Sequence, residues 1–313
     1  MIPRCASLVA LAALLGSGCS IQRMAVNSLA GALAESGDVY ASDDDPQLVG
    51  DALPFALKTF ESLLAEAPEH EGLLLATCSG FVQYAYAFVE LEADKLEFVD
   101  YPAAERGRER ALKLYLRGRD YCLQALELGH PGVGERLVRA PEEAAAELGA
   151  DQLDLVFWTG AAWGSAISIG VHRLEIVADL PAVRALMDRV LELDEGYDDG
   201  AAHEALIALE ALPEAMGGSK ERAREHFERA VELSRGLSAS PYVSLAANVT
   251  VAEQDRGEFE RLLGLALEVD PDAEPSRRLA NTIARERAEL LLSRVEDLFL
   301  DLSLDDEAEG SPR

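Results

Sequence analysis

Aromatic residues are scarce in this chain, 6 % of the sequence with two tryptophans, and its 49 % hydrophobic fraction rests instead on Ala, Leu and Val. That is the usage of helix-rich chains, and no clear run alternates apolar with polar residues as a half-buried strand would. Cations are also few. The 28 Lys and Arg face 57 Asp and Glu, a net charge of −29, and a surface of that sign repels phosphate backbones and anionic lipid heads, which excludes nucleic-acid binding. The five histidines, His70, His130, His172, His203 and His226, are scattered. They form no HExxH, and neither a GxSxG elbow nor a glycine-rich phosphate loop occurs. Carboxylates could meet anywhere in so acidic a chain, so none singles out a catalytic site. The run LDEGYDDGAAH misses the register of a calcium loop and reads as a helix-to-helix turn. No catalytic residue, metal site or cofactor is predicted.

Long hydrophobic runs are nearly absent too. Near the N-terminus Arg4 precedes an apolar segment, Ala6 to Leu15, too short to cross a ~30 Å hydrocarbon core. A charged start, a short apolar middle and small residues at 16–18 are the marks of a signal peptide. The next residue is Cys19, and LLGSGCSI resembles a bacterial lipobox, with Gly16 where Leu is usual and Leu15 one place further back. Residues 1–18 are therefore assigned to a lipoprotein signal, Cys19 to lipid attachment, and Ser20 to sorting toward an outer membrane. Of four cysteines, Cys5 leaves with the signal. Cys78 and Cys122 then remain, both inside helical patterns; buried free thiols are expected, although an oxidising envelope would let them pair.

Gly and Pro fall between long apolar-periodic segments. Asp45-Pro46, Ser240-Pro241 and Glu274-Pro275 mark helix starts, as does Ser219 with Glu221 in its first turn. A small–large–small pattern followed by a breaker recurs five times. It reads Ala56, Phe60, Leu63 and Pro68; Gly118, Cys122, Ala125 and His130; Val183, Met187 and Val190; Ala223, Phe227 and Ala230; and Phe259, Leu263, Ala266 and Pro271. This is the half-repeat of tetratricopeptide arrays, in which small residues let a helix approach its neighbours. Successive ends lie 62, 65, 40 and 36 residues apart, so the early units are stretched, with long helices near 71–99 and 103–128. The fold class expected is all-α, a tetratricopeptide-like helical repeat array over residues 46–303, preceded by a tether at 19–45 and followed by an acidic disordered tail at 304–313. Between 131 and 151 the pattern lapses into a loop with a short helix.

Two segments could carry function. From Leu155 to Val171 there is no charge, which predicts a helix buried on all sides, with Gly160, Gly164 and Ser168 spaced for close approach and Trp158 and Trp163 on other faces. In GFVQYAYAFVELE, Tyr84 and Tyr86 sit on two helical stripes whose hydroxyls need partners or a polar-edged cavity. Tyr84, Tyr86, Trp158 and Trp163 are the candidate cavity or pore residues, core packing being the alternative for each.

The blocks DDDPQLVGDALPFALKTFESLLAEAPEH, GLLLATCSGFVQYAYAF, FWTGAAWGSAISI, LELDEGYDDGAAHEAL, GGSKERAREHFERAVELS and RRLANTIARERAELLL together resemble the T-component family of TRAP (tripartite ATP-independent periplasmic) transporters. The resemblance implies a lipid-anchored periplasmic helical protein that forms a homotrimer, docks a solute-binding P component and offers an apolar cavity or pore to a small-molecule ligand. A tetratricopeptide-like lipoprotein scaffolding envelope assembly is the other reading.

Overall fold

A computed structural model describes Gly31 and residues 37–300. The signal segment, Cys19 and the tail lie outside the described residues. Within them every regular element is helical: α1 Gly37–Ala41, α2 Pro46–Glu66, α3 Glu71–Leu96, α4 Tyr101–Gly129, α5 Val133–Arg139, α6 Pro141–Ala146, α7 Leu153–Ile169, α8 Leu174–Val177, α9 Leu180–Asp194, α10 Ala201–Glu210, α11 Lys220–Leu233, α12 over 240–253, α13 Arg256–Glu268, α14 Arg278–Leu292 and α15 Val295–Leu298. The segment 131–151 holds two short helices rather than one.

The starts follow the expected chemistry. The Asp45 carboxylate accepts the Leu48 N–H at 3.0 Å with Pro46 in the first turn of α2, and Ser219 caps α11 through the Arg222 N–H at 3.2 Å. Each satisfies one of the amide donors a helix start leaves unpaired. Ser240 departs from expectation, because it lies inside α12 and makes no capping bond. Its role is taken from a distance: the buried side chain of Asn281 on α14 accepts the Ala239 N–H at 3.0 Å and donates to the Leu237 carbonyl at 2.9 Å.

Helices pack mainly on chain neighbours: α2 on α3, α3 on α4, α4 on α7, α7 on α9, α9 on α10, α10 on α11 and α12, then α12 on α13 and α14. The recurring pattern marks the inward turns. Gly118, Cys122, Ala125, Val183, Met187, Val190, Ala223, Ala230, Phe259, Leu263 and Ala266 are all buried. Gly160 and Gly164 turn to α9: a Cβ at 160 would lie 2.5 Å from Met187 Cε, and one at 164 would lie 3.2 Å from Val183 Cγ1. α3 is long and apolar enough to cross a membrane, but Leu73, Leu74, Cys78, Phe81 and Val82 are spent on the core, so it is the central helix of this body.

The expectation of free thiols is corrected here. Cys78 on α3 and Cys122 on α4 form a disulfide, with their Cα atoms 5.5 Å apart. One turn before Cys122, Gly118 lets α4 settle onto α3: a Cβ there would stand 3.0 Å from the Cys78 carbonyl. The sequence showed both thiols facing inward but not that they face each other.

Two apolar clusters form the core. The first runs from Leu57 to Leu209 and the second from Ile207 to Phe299. They meet on α10, which gives Leu206 and Leu209 to one and Ile207 to the other. The chain also closes on itself, since α14 packs against α1 and α2.

Candidate functional site

Closure brings α14 beside the middle of α3, where the helix widens into a π-helical stretch, Ala85–Glu90. Such widened turns recur at functional sites, and here the stretch carries Tyr86 and Glu90. Arg287 of α14 reaches across. Its guanidinium lies 4.0 Å over the Tyr86 ring, donates to the Tyr86 carbonyl at 2.7 Å and to Asp94 at 3.1 Å, and sits 3.8 Å from Glu90. From α4, the buried Tyr115 hydroxyl donates to the other oxygen of Glu90.

Burial raises the Glu90 and Asp94 carboxyls, and Arg287 opposes it in both. Tyr86 is likewise raised by burial, again opposed by Arg287, with Glu204 of α10 adding to the rise. Glu204 itself is pushed up to about 7 by burial, against the pull of Arg277. Tyr86 nevertheless keeps 39 % of its surface open. Tyr86 is thus open to water while facing charges from α3, α10 and α14. The surface around it is mixed: an aromatic ring, a guanidinium and several carboxyls.

The four candidate residues are placed differently. Only Tyr86 is exposed. Tyr84 is buried, its hydroxyl accepting from Arg110 at 3.0 Å. Trp163 is 2 % exposed, its indole N–H donating to Asp179 at 3.2 Å under the Arg119 guanidinium. Trp158 is half-buried and meets Phe157 edge-on at 5.2 Å. Sequence reading missed Glu90, Arg287 and Glu204. Glu90 and Asp94 continue the Tyr86 stripe at steps of four, which was a usable signal; Arg287 and Glu204 join it only through closure. Two surface depressions, about 150 Å³ beside Arg184 and Asp188 and about 280 Å³ beside Arg256 and Glu296, are not lined by Tyr86 and are smaller than the ~300–1,000 Å³ of ligand pockets.

Glu204 gives the interior a pH signature. Its folded pKa, about 7, lies above the ordinary 4.5. Its contribution to stability is therefore complete below 4.5 and lost as pH rises through about 7. Thermal melts should show the Glu204→Gln variant losing less stability than the unmutated chain between about pH 5 and about pH 8. Identical pH profiles would place Glu204 in ordinary solvent.

Every regular element among the described residues is helical, and the chain closes α14 onto its first helices. Residues 42–299 match the family TAtT, TRAP transporter T-component. The chain belongs to that family and so has a role in TRAP transport. It is also similar to an uncharacterized protein of Treponema pallidum (strain Nichols), 29 % identical over 307 residues, which covers 92 % of this chain and 95 % of that one.

Proposed function

We propose that the protein is the lipid-anchored T component of a TRAP-type solute transporter. Cleaved before Cys19 and acylated there, it stands on the periplasmic face of the bacterial envelope, held in the outer membrane, and assembles as a homotrimer. Its tetratricopeptide-like helices dock a solute-binding P component, and the space beside Tyr86 receives that component's ligand. The observation that carries this reading is the exposure of Tyr86 where α3, α10 and α14 converge. The mixed wall suits a small molecule with an apolar body and one polar end, which stacks on the ring while its polar end meets the charged groups. The net charge of −29 supports tethering by acyl chains alone, and the Cys78–Cys122 bond supports an oxidising compartment.

The test is affinity purification from detergent-solubilised membranes. A solute-binding protein is expected to co-purify, and deleting the gene for this chain should abolish uptake of the bound solute. Recovery of envelope assembly proteins instead, with uptake intact, would favour the scaffold reading.

A further inference from the structure

The two apolar clusters share no residue; α14 of the second packs on α2 of the first, and α10 contributes to both. The turns on either side of that helix adopt conformations that side chains rarely take: Asp198, Asp199 and Gly200 have φ of 43°, 52° and 96° before it, and Gly217 has φ of 87° after it. Such positions absorb backbone rotation between packed bodies. On the far side of the interior, where α3 faces α14, the contacts are of another kind. Lys95 pairs with Glu286 at 2.5 Å, Arg287 with Asp94 at 3.1 Å and with Glu90 at 3.8 Å, and Arg294 with Glu97 at 3.5 Å and with the Asp94 carbonyl. Arg294 also lies 5.0 Å over the Phe98 ring. No residue of α3 belongs to the second cluster and none of α14 to the first. The contacts named across the seam are thus made by long charged side chains, two of them lying over aromatic rings, rather than by members of one shared apolar cluster.

We propose that this seam is a latch: the two lobes pivot about α10 and part between residues 90–97 and 286–294, opening the interior beside Tyr86 sideways. The balance favours a reversible device. The Lys95–Glu286 pair is partly exposed on both sides, so it gives little net stability and is screened by salt. Closing also buries the Arg287 Nε–H without a hydrogen-bond partner, a desolvation cost that opening relieves. By contrast α10 is riveted to its neighbours. Glu210, 2 % exposed, takes Arg184 of α9 and Arg222 of α11, and His203 meets His226 of α11 at 2.8 Å. The hinge helix therefore holds while the seam yields. The pivot does not depend on what the interior carries.

Electron–electron resonance between nitroxides reads the gap directly. Keto amino acids at positions 99 and 289, replacing the exposed Val99 and Glu289 on opposite lobes, carry the labels and leave the cysteines alone. A dominant short distance with a minor longer one is expected at low salt, and the longer one should grow as salt approaches about 1 M, where the screening length falls to ~3 Å. Lys95→Glu removes one pair and adds a repulsion, which should enlarge the longer population by about three- to fivefold at low salt. A single distance that stays unchanged through the salt titration of the labelled but otherwise unmutated chain overturns the latch, whatever the variant does.

Discussion

Replacing Trp163 by alanine is expected to lower the unfolding free energy by about 3–5 kcal/mol, the range for deleting a large aromatic side chain from a packed core. The side chain is 2 % exposed within the first apolar cluster. Its indole N–H is committed to Asp179, and truncation strands that carboxylate as well as leaving a void. Trp163 was one of four candidates for a cavity wall, and the variant separates the two roles. Denaturant titration should show the full loss. A cost below about 1 kcal/mol, accompanied by impaired solute binding, would return Trp163 to the cavity.

Replacing both Cys78 and Cys122 by alanine is expected to destabilise the chain by about 4 kcal/mol. The bond spans a sequence separation of 44 residues, and releasing a loop of that length restores roughly that much conformational freedom to the unfolded chain. In a domain of this size the loss corresponds to about 10 °C in Tm. Both sulfurs are fully buried where α3, α4 and α7 meet, so the effect should fall on the first lobe. Hydrogen exchange is expected to quicken across α3 and α4 and to change little in α13. Uniform acceleration through both lobes would show that they unfold as one unit.

Much of the fold could be read from spacing alone, because each cue was local. The long helices near 71–99 and 103–128 correspond to Glu71–Leu96 and Tyr101–Gly129; the charge-free run became the buried α7, and LDEGYDDG became the turn before α10. Most members of the recurring patterns mark inward-facing turns, Ala56, Leu63 and Phe227 being half-buried exceptions, because a small residue is needed wherever one helix backbone nears another. What escaped depends on contacts distant in sequence. The disulfide needs the relative rotation of α3 and α4. The Asn281 cap on α12 needs α14 in place. The interior wall needs closure, which brings Arg287 to Tyr86 across 201 residues. Aromatic spacing selected Tyr84, Tyr86, Trp158 and Trp163 as equals, and only the packed molecule distinguishes the open ring from the three that are wholly or partly enclosed.

Photo-crosslinking from position 86 tests the central claim most directly. A photoreactive amino acid in place of Tyr86, in cells taking up the transported solute, should yield a small-molecule adduct on the chain detectable by mass spectrometry. The same group at Leu174, which is 84 % exposed on α8, should yield none. An adduct at both positions, or at Leu174 alone, would contradict an interior solute path beside Tyr86.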